Sequence, residues 1–537
     1  MSTSEFAQLV DSYLDLKWHL DPVEATSAGL QEHDHRLGAF GEDDLKQSLA
    51  ALKSLGSALE SAVTESLQDE IDRTALLNEL RVTVNRFEHE RQQERNPLFW
   101  ISHVLEGLYL LLVHRDRSRE HRGRAAAERL RAVPAFLDAA RETLENCPTV
   151  LLDTAADVAM AGSALIDEVA TDLQPRDDPD LESTSEAAQE SLLAFGDWLR
   201  TESAEGQGCA IGIGEDAFNF RLHYEHALNA SAPLLWRYGT RLVEQTESEL
   251  ADLAAEIDRG VAWPDLVDRL RWEHPDADGL VDAYSVEMER SRQFVLENDL
   301  VTLPDGTLEV VSTPEFLRPL IPFAAYQPPG AFSGDRTGWF YVTQPDRAVP
   351  SEESEPQMRD HCVHELACTA LHEGYPGHHL QFLSAQAQPR PARKVVHTPV
   401  TVEGWALYCE EMMGEHGFYR GKEEQLFRLR ALLWRAVRVV IDVGINTRGM
   451  KFTEAVSLLA GTVHFDTANA EAEVRRYCAN PAYQLCYAVG SRELMALRND
   501  YRNAAGGGYS EKQFHMDVLS YGGLPVSLLR WGMGLNE

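Results

Sequence analysis

Apolar positions recur at three- and four-residue spacing over most of this chain. In residues 4–20, Phe6, Leu9, Val10, Tyr13, Leu14 and Trp18 fall on one stripe, the period of an amphipathic helix. A second helix is expected after Gly41, where Glu42-Asp43-Asp44 supplies the acidic first turn that suits a helix dipole. The same period returns over 67–94 and 99–113, in pieces across 124–172, and in long stretches at 233–257 and 276–298. Pro134 and Cys147-Pro148 mark turns or helix starts. Residues 175–183 read as a Pro/Asp-rich connector, and Gly206-Gln207-Gly208 as the start of a glycine-rich linker. His223, Glu225 and His226 are expected on a solvated helix face.

After Leu300 the texture changes. Residues 307–312 and 338–343 read as short strands, separated by the loop Gln327-Pro328-Pro329-Gly330. No repeat of 20–50 residues and no low-complexity tract is visible. These patterns predict a mostly α, large multi-helix fold with a small β-sheet beside an active-site helix and a central cleft. It is divided into an N-terminal helical half, 1–300, and a catalytic half, 301–537, that form one continuous unit.

Composition changes the picture mainly by exclusion. The chain has 537 residues, 44% of them hydrophobic, and a formal charge of −37. Such a balance repels phosphate backbones, so a nucleic-acid partner is not expected. Seven cysteines, an odd number in a long chain, do not suggest a disulfide framework. Met1-Ser2-Thr3-Ser4-Glu5-Phe6 offers neither a basic nor an apolar leader region. Apolar runs such as 108–113 stop far short of the ~18 residues of a membrane span. A cytoplasmic protein without a membrane partner is the expectation. Gly212-Ile213-Gly214 lacks the third glycine of a nucleotide loop, and no Gly-x-Ser-x-Gly elbow is present.

Candidate chemistry gathers at Leu371-His372-Glu373-Gly374-Tyr375-Pro376-Gly377-His378-His379. A zinc-hydrolase helix commonly reads His-Glu-x-x-His, with two imidazoles on one face and the glutamate as general base. Here Pro376 stands where the second histidine would be. Proline and glycine favour a local break, which would bring His378 to the place of an i+4 ligand. On an unbroken helix His379 would share the face of His372 instead. Residues 355–373 read as one helix, with His361, His364, Cys368 and His372 on one face. His364 and His372 lie roughly 12 Å apart along such an axis, too far to share an ion held at about 2.1 Å. His364 is therefore expected to orient a ligand from behind.

The block His-Glu-Gly-Tyr-Pro-Gly-His-His-Leu-Gln at 372–381 resembles the signature of the bacterial DUF885 family, grouped with gluzincin-type zinc metallopeptidases. Glu403-Gly404-Trp405-Ala406-Leu407-Tyr408 resembles its second block. Tyr487-Ala488-Val489-Gly490 resembles the third, and Phe514-His515-Met516 with Gly523-Leu524-Pro525 the fourth. The resemblance implies a zinc ion held by His372, His378 and Glu403, with His379 as fallback or neighbour and Glu410 as the rival glutamate. It implies Glu373 as general base, and Tyr487 is the expected oxyanion donor, ahead of His515 and Tyr521, which are also expected to touch substrate. Tyr341, on a strand taken as an edge, is expected to receive an extended peptide by strand addition. The function so implied is zinc-dependent hydrolysis of short peptides. A zinc-dependent amide or ester hydrolase of small molecules and a non-catalytic binding protein are the alternatives.

Overall fold

A computed structural model describes residues 5–173, 181–205, 209–314, 318, 321, 323–346 and 349–535. The linker at 206–208 and most of the connector at 175–183 lie outside these residues. The described residues are mostly helical, as the periodicity predicts, and their small sheet has three strands rather than the two read from the sequence.

The chain divides into two compact units, 1–217 with 330–335, and 218–329 with 336–537. Residues 218–300, assigned above to the N-terminal half, thus group with the second unit. The first unit is built of amphipathic helices, among them Glu5–Leu20, Leu67–Glu88, Pro97–Val113, Thr149–Asp172 and Leu181–Glu205. On Glu5–Leu20 the stripe residues Phe6, Val10, Tyr13, Leu14 and Trp18 are buried. Ser66, Asn96 and Ser118 cap helix starts by accepting a backbone N–H, which satisfies donors that a first turn leaves unpaired. Helix Thr149–Asp172 has the length and apolar composition of a membrane span. This departs from the expectation that no apolar stretch reaches that length; Leu152, Ala155, Ala159 and Ile166 of the helix are buried. The segment 330–335 joins this unit through Phe332, whose N–H donates to the Ala28 carbonyl at 2.8 Å.

In the second unit the strands are β1 (Thr307–Ser312), β2 (Ala324–Gln327) and β3 (Thr337–Val342), in the order β1-β3-β2. β1 runs parallel to β3 and β2 antiparallel to it. β3 is therefore the central strand. Its Phe340 and Val342 join Leu280, Tyr284, Met288, Leu366 and Ala370 in one buried cluster, which fixes the sheet against helices Leu280–Glu297 and Val363–Glu373. The single helix expected over 355–373 is two, Ser351–Arg359 and Val363–Glu373. His361 sits in the break, bonded to the Tyr284 hydroxyl at 3.1 Å and stacked on Phe323, so it does not share the face of His372.

Two helices of this unit cross with almost no side chain between them. On Pro399–Glu415, Gly404 lies against Gly490 of Cys486–Ala505, and a Cβ on Gly490 would run into the Val400 carbonyl. Only glycine fits such an approach. Gly490→Ala is expected to destabilise the fold by about 1–3 kcal/mol, the usual range for overpacking a tight core. Denaturant unfolding, wild type beside variant, would show it as a lower midpoint.

Candidate metal centre

Helix Val363–Glu373 ends on His372 and Glu373, and a new helix, His378–Gln386, begins at His378. Between them the chain turns through Gly374-Tyr375-Pro376-Gly377, with a cis Tyr375-Pro376 bond. The Gly377 N–H donates to the Leu371 carbonyl at 3.0 Å, and a Cβ on Gly377 would collide with the His372 carbonyl. The rings of His372 and His378 meet nearly perpendicular, with centroids 4.9 Å apart.

The third member comes from helix Pro399–Glu415. Ligand atoms of His372, His378 and Glu403 lie within 4.8 Å of one another, and all three residues are buried. His378 Nε2 is 3.5 Å from Glu403 Oε2. Two ligands about 2.1 Å from one ion at a tetrahedral angle stand about 3.4 Å apart, so this pair has the spacing a metal requires. Burial works against charge on both. The contact nevertheless holds His378 well above its ordinary pKa and Glu403 well below its own, with Glu373 helping to raise His378 and Tyr483 helping to lower Glu403.

Neighbouring groups orient the trio. His372 Nδ1 bonds Glu410 Oε1 at 2.8 Å, leaving Nε2 as its ligand atom. Glu410, the rival ligand of the sequence reading, is thus the carboxylate that fixes the imidazole, a role that strengthens a metal-binding histidine. The Tyr483 hydroxyl donates to Glu403 Oε1. Trp405 Nε1 donates to the Pro376 carbonyl at 2.8 Å, and Gln381 Nε2 to the Thr401 carbonyl at 3.2 Å. The helix that brings Glu403 therefore also clamps the turn between the two histidines.

Several expected site residues stand elsewhere. His379 is fully buried and bonds the Tyr326 hydroxyl through Nδ1 at 2.9 Å, outside the trio. It steadies β2. His364 pairs with Glu273 at 3.2 Å rather than with a ligand. Tyr341 is buried on the central strand, and the edge facing the cavity is β2 with Ala324, Ala325 and Tyr326. His515 is fully buried between the Tyr408 hydroxyl and the Leu300 carbonyl, each at 2.7 Å. Burial pushes its pKa down to about 4. Tyr521 is also buried, against Arg393. Neither His515 nor Tyr521 lines the cavity. Tyr487 does. Burial raises its pKa, and Arg438 lies over its ring at 4.7 Å.

Three residues that the sequence left without a role hold the site together. Tyr483 touches Glu403. Asp442 accepts the N–H groups of Ala482 and Leu485 at 3.0 and 3.1 Å, which sets the turn that aims Tyr483. His226, expected on a solvated face, is buried and bridges the Thr398 hydroxyl and the Ala482 carbonyl at 2.8 and 2.9 Å. It joins the start of the Glu403 helix to the Tyr483 turn. The one available signal for Tyr483 was its place four residues before Tyr487.

The trio and Glu373 open on a cavity of about 610 Å³. Its walls include Phe323–Tyr326, Phe382, Trp434, Arg435, Arg438, Tyr483 and Tyr487, all from the second unit. The volume suits a ligand of a few residues.

The family description "Bacterial protein of unknown function (DUF885)" matches residues 22–533. No curated protein matches the chain. Two solved structures share its fold. One is described as "a putative lipoprotein of unknown function from Shewanella oneidensis", with a TM-score of 0.83 and 22% identity over 99% of this chain and 100% of that one. The other is "the putative lipoprotein from Colwellia psychrerythraea", with a TM-score of 0.82 and 19% identity over 99% of each. Both descriptions point away from the cytoplasm, and the cytoplasmic expectation is withdrawn on that finding.

If His515 is a packing residue, His515→Ala should lower stability by about 1–3 kcal/mol through its two lost hydrogen bonds. Divalent-metal affinity should stay unchanged. Thermal unfolding together with metal titration would check both.

Proposed function

We propose, for a chain that belongs to the DUF885 family of bacterial proteins of unknown function, that it is a zinc-dependent hydrolase of peptide bonds in short peptides. The observation that carries this reading is the buried His372–His378–Glu403 group, with the Glu373 carboxylate lining the same cavity. Two imidazoles and one carboxylate are the donor set of a catalytic zinc site, which keeps a further position open. A zinc ion held there would act as a Lewis acid and lower the pKa of a bound water to about 7.

The remaining work falls to the chain's own groups. Glu373 follows His372 directly and lines the same cavity. Its carboxylate accepts a proton from the attacking water and returns it to the leaving nitrogen. Glu410 keeps the His372 imidazole in one tautomer, and Tyr483 keeps Glu403 in one rotamer. Tyr487 is the hydroxyl donor available to a developing oxyanion, since the Tyr483 hydroxyl is committed to Glu403. β2 offers backbone donors and acceptors at the cavity rim to an extended substrate.

A comparison of wild type, Glu373→Gln and His378→Ala tests the scheme. Wild type is expected to bind about one zinc and to cleave members of a short-peptide panel. Glu373→Gln should keep the zinc while turnover falls by about 10²–10⁴, and His378→Ala should lose both. Full turnover in zinc-loaded Glu373→Gln would refute the base assignment. Cleavage of acyl amides or esters with peptides left intact would replace the substrate class.

A further inference from the structure

The chain carries a large negative charge, yet one wall of its cavity is cationic. Arg435 and Arg438 lie on helix Lys422–Thr447, and Arg476 lies on helix Thr467–Ala479. All three line the cavity that holds the trio. Arg438 and Arg476 share one acceptor, Glu473 Oε2, at 3.2 and 2.8 Å. Glu473 is mostly buried, which would raise its pKa, but Arg438 and Arg476 draw it down to about 2. One carboxylate thus answers two guanidinium groups.

Arg435 lowers the pKa of the buried Glu410 from a distance, but among the described residues no carboxylate forms an ion pair with it. Its Nη1 donates to the Ala431 carbonyl one turn back, at 3.3 Å, and its Nε is buried without an acceptor. Its guanidinium lies 4.9 Å from the Trp434 ring centroid and 6.0 Å from that of Tyr487. A planar fork of donors beside two aromatic rings, with no ion pair among the described residues, suits a carboxylate.

The path from this fork to the trio is short. Tyr487, against Arg435, has its ring centroid 6.2 Å from that of Tyr483, whose hydroxyl touches Glu403. An extended peptide advances about 3.3–3.6 Å per residue, so a few residues cover these two rings, which meet edge to face.

We infer that Arg435 binds the free C-terminal carboxylate of a short peptide substrate, so that the protein acts on peptides a few residues from their C-terminus. This inference deepens the proposed function and rests on it. Arg435 also lowers the pKa of Glu410, so its loss could disturb His372 as well. The test must therefore separate a carboxylate contact from a general effect on the site.

Calorimetric binding to zinc-equilibrated, full-length Glu373→Gln protein makes that separation. The probes are N-acetyl-Ala-Phe-Ala as the free acid and as its C-terminal amide, which differ only in the terminal charge. The acid should bind about tenfold or more tightly than the amide, as a charged hydrogen-bonded pair requires. Adding Arg435→Gln should bring the two within about twofold, and Arg435→Lys, which keeps the charge without the fork, should fall between. Equal affinity for acid and amide, binding of neither, or a preference that survives Arg435→Gln would overturn the inference. The acid–amide comparison in the parent protein needs no arginine variant, so it stands even if Arg435→Gln fails to fold. An acid preference without hydrolysis by wild type would keep Arg435 as a carboxylate site and remove the peptidase reading. Equal hydrolysis of acid and amide would do the reverse.

Discussion

A helix that continued past Glu373 could not bring His372 and His378 to one point. Six residues of α-helix turn the chain by about 600° and advance it by about 9 Å, so the two imidazoles would face different directions about one and two-thirds turns apart. The interruption at Gly374–Gly377 removes that constraint, and the two rings meet with centroids 4.9 Å apart. The break needs glycine at 377, where any Cβ would strike the His372 carbonyl. It also needs an outside clamp, because Pro376 lies in the turn between the two helices, where its carbonyl has no place in a helical ladder. Trp405 supplies it.

The rest of the second unit keeps that clamp in register. Trp405 and Glu403 share one helix, so the group that holds the turn also delivers the third member of the trio. The start of that helix is fixed by the Thr398 N–H on the Gly523 carbonyl and by the Thr401 hydroxyl on the Leu524 carbonyl, at 2.9 and 2.8 Å. Its flank is fixed by the Gly404–Gly490 approach. The four motif blocks thus act as one assembly: two carry the trio, one supplies the close crossing, and one anchors the helix that joins them. Glu410, Tyr483, Asp442 and His226 then hold the trio in single orientations.

What the sequence made legible follows from how local each cause is. Helical periodicity depends on near neighbours, and the predominance of helices could be read directly. The trio was legible because Pro376-Gly377 announces the break and the adjoining motif names its partners. Groups whose position depends on distant contacts were not legible. β2 has the sequence Ala-Ala-Tyr-Gln, which carries little strand signal, and without it β3 reads as an edge and Tyr341 as exposed. The break at 360–362 depends on His361 meeting Tyr284 and Phe323 across the fold. His515 and Tyr521 sit in motif-like blocks near the chain's end, and their roles in packing appear only once Leu300 and Arg393 are brought beside them. Tyr483 is aimed by Asp442, 41 residues earlier in the chain, through backbone bonds that no residue pattern marks.

We propose that His372, His378 and Glu403 hold one zinc ion. Anomalous diffraction at the zinc edge, from crystals of the protein equilibrated with zinc, tests it most directly. A single strong peak is expected about 2.1 Å from His372 Nε2, His378 Nε2 and a Glu403 oxygen. No peak among these three side chains, or the only strong peak at another group, would contradict it.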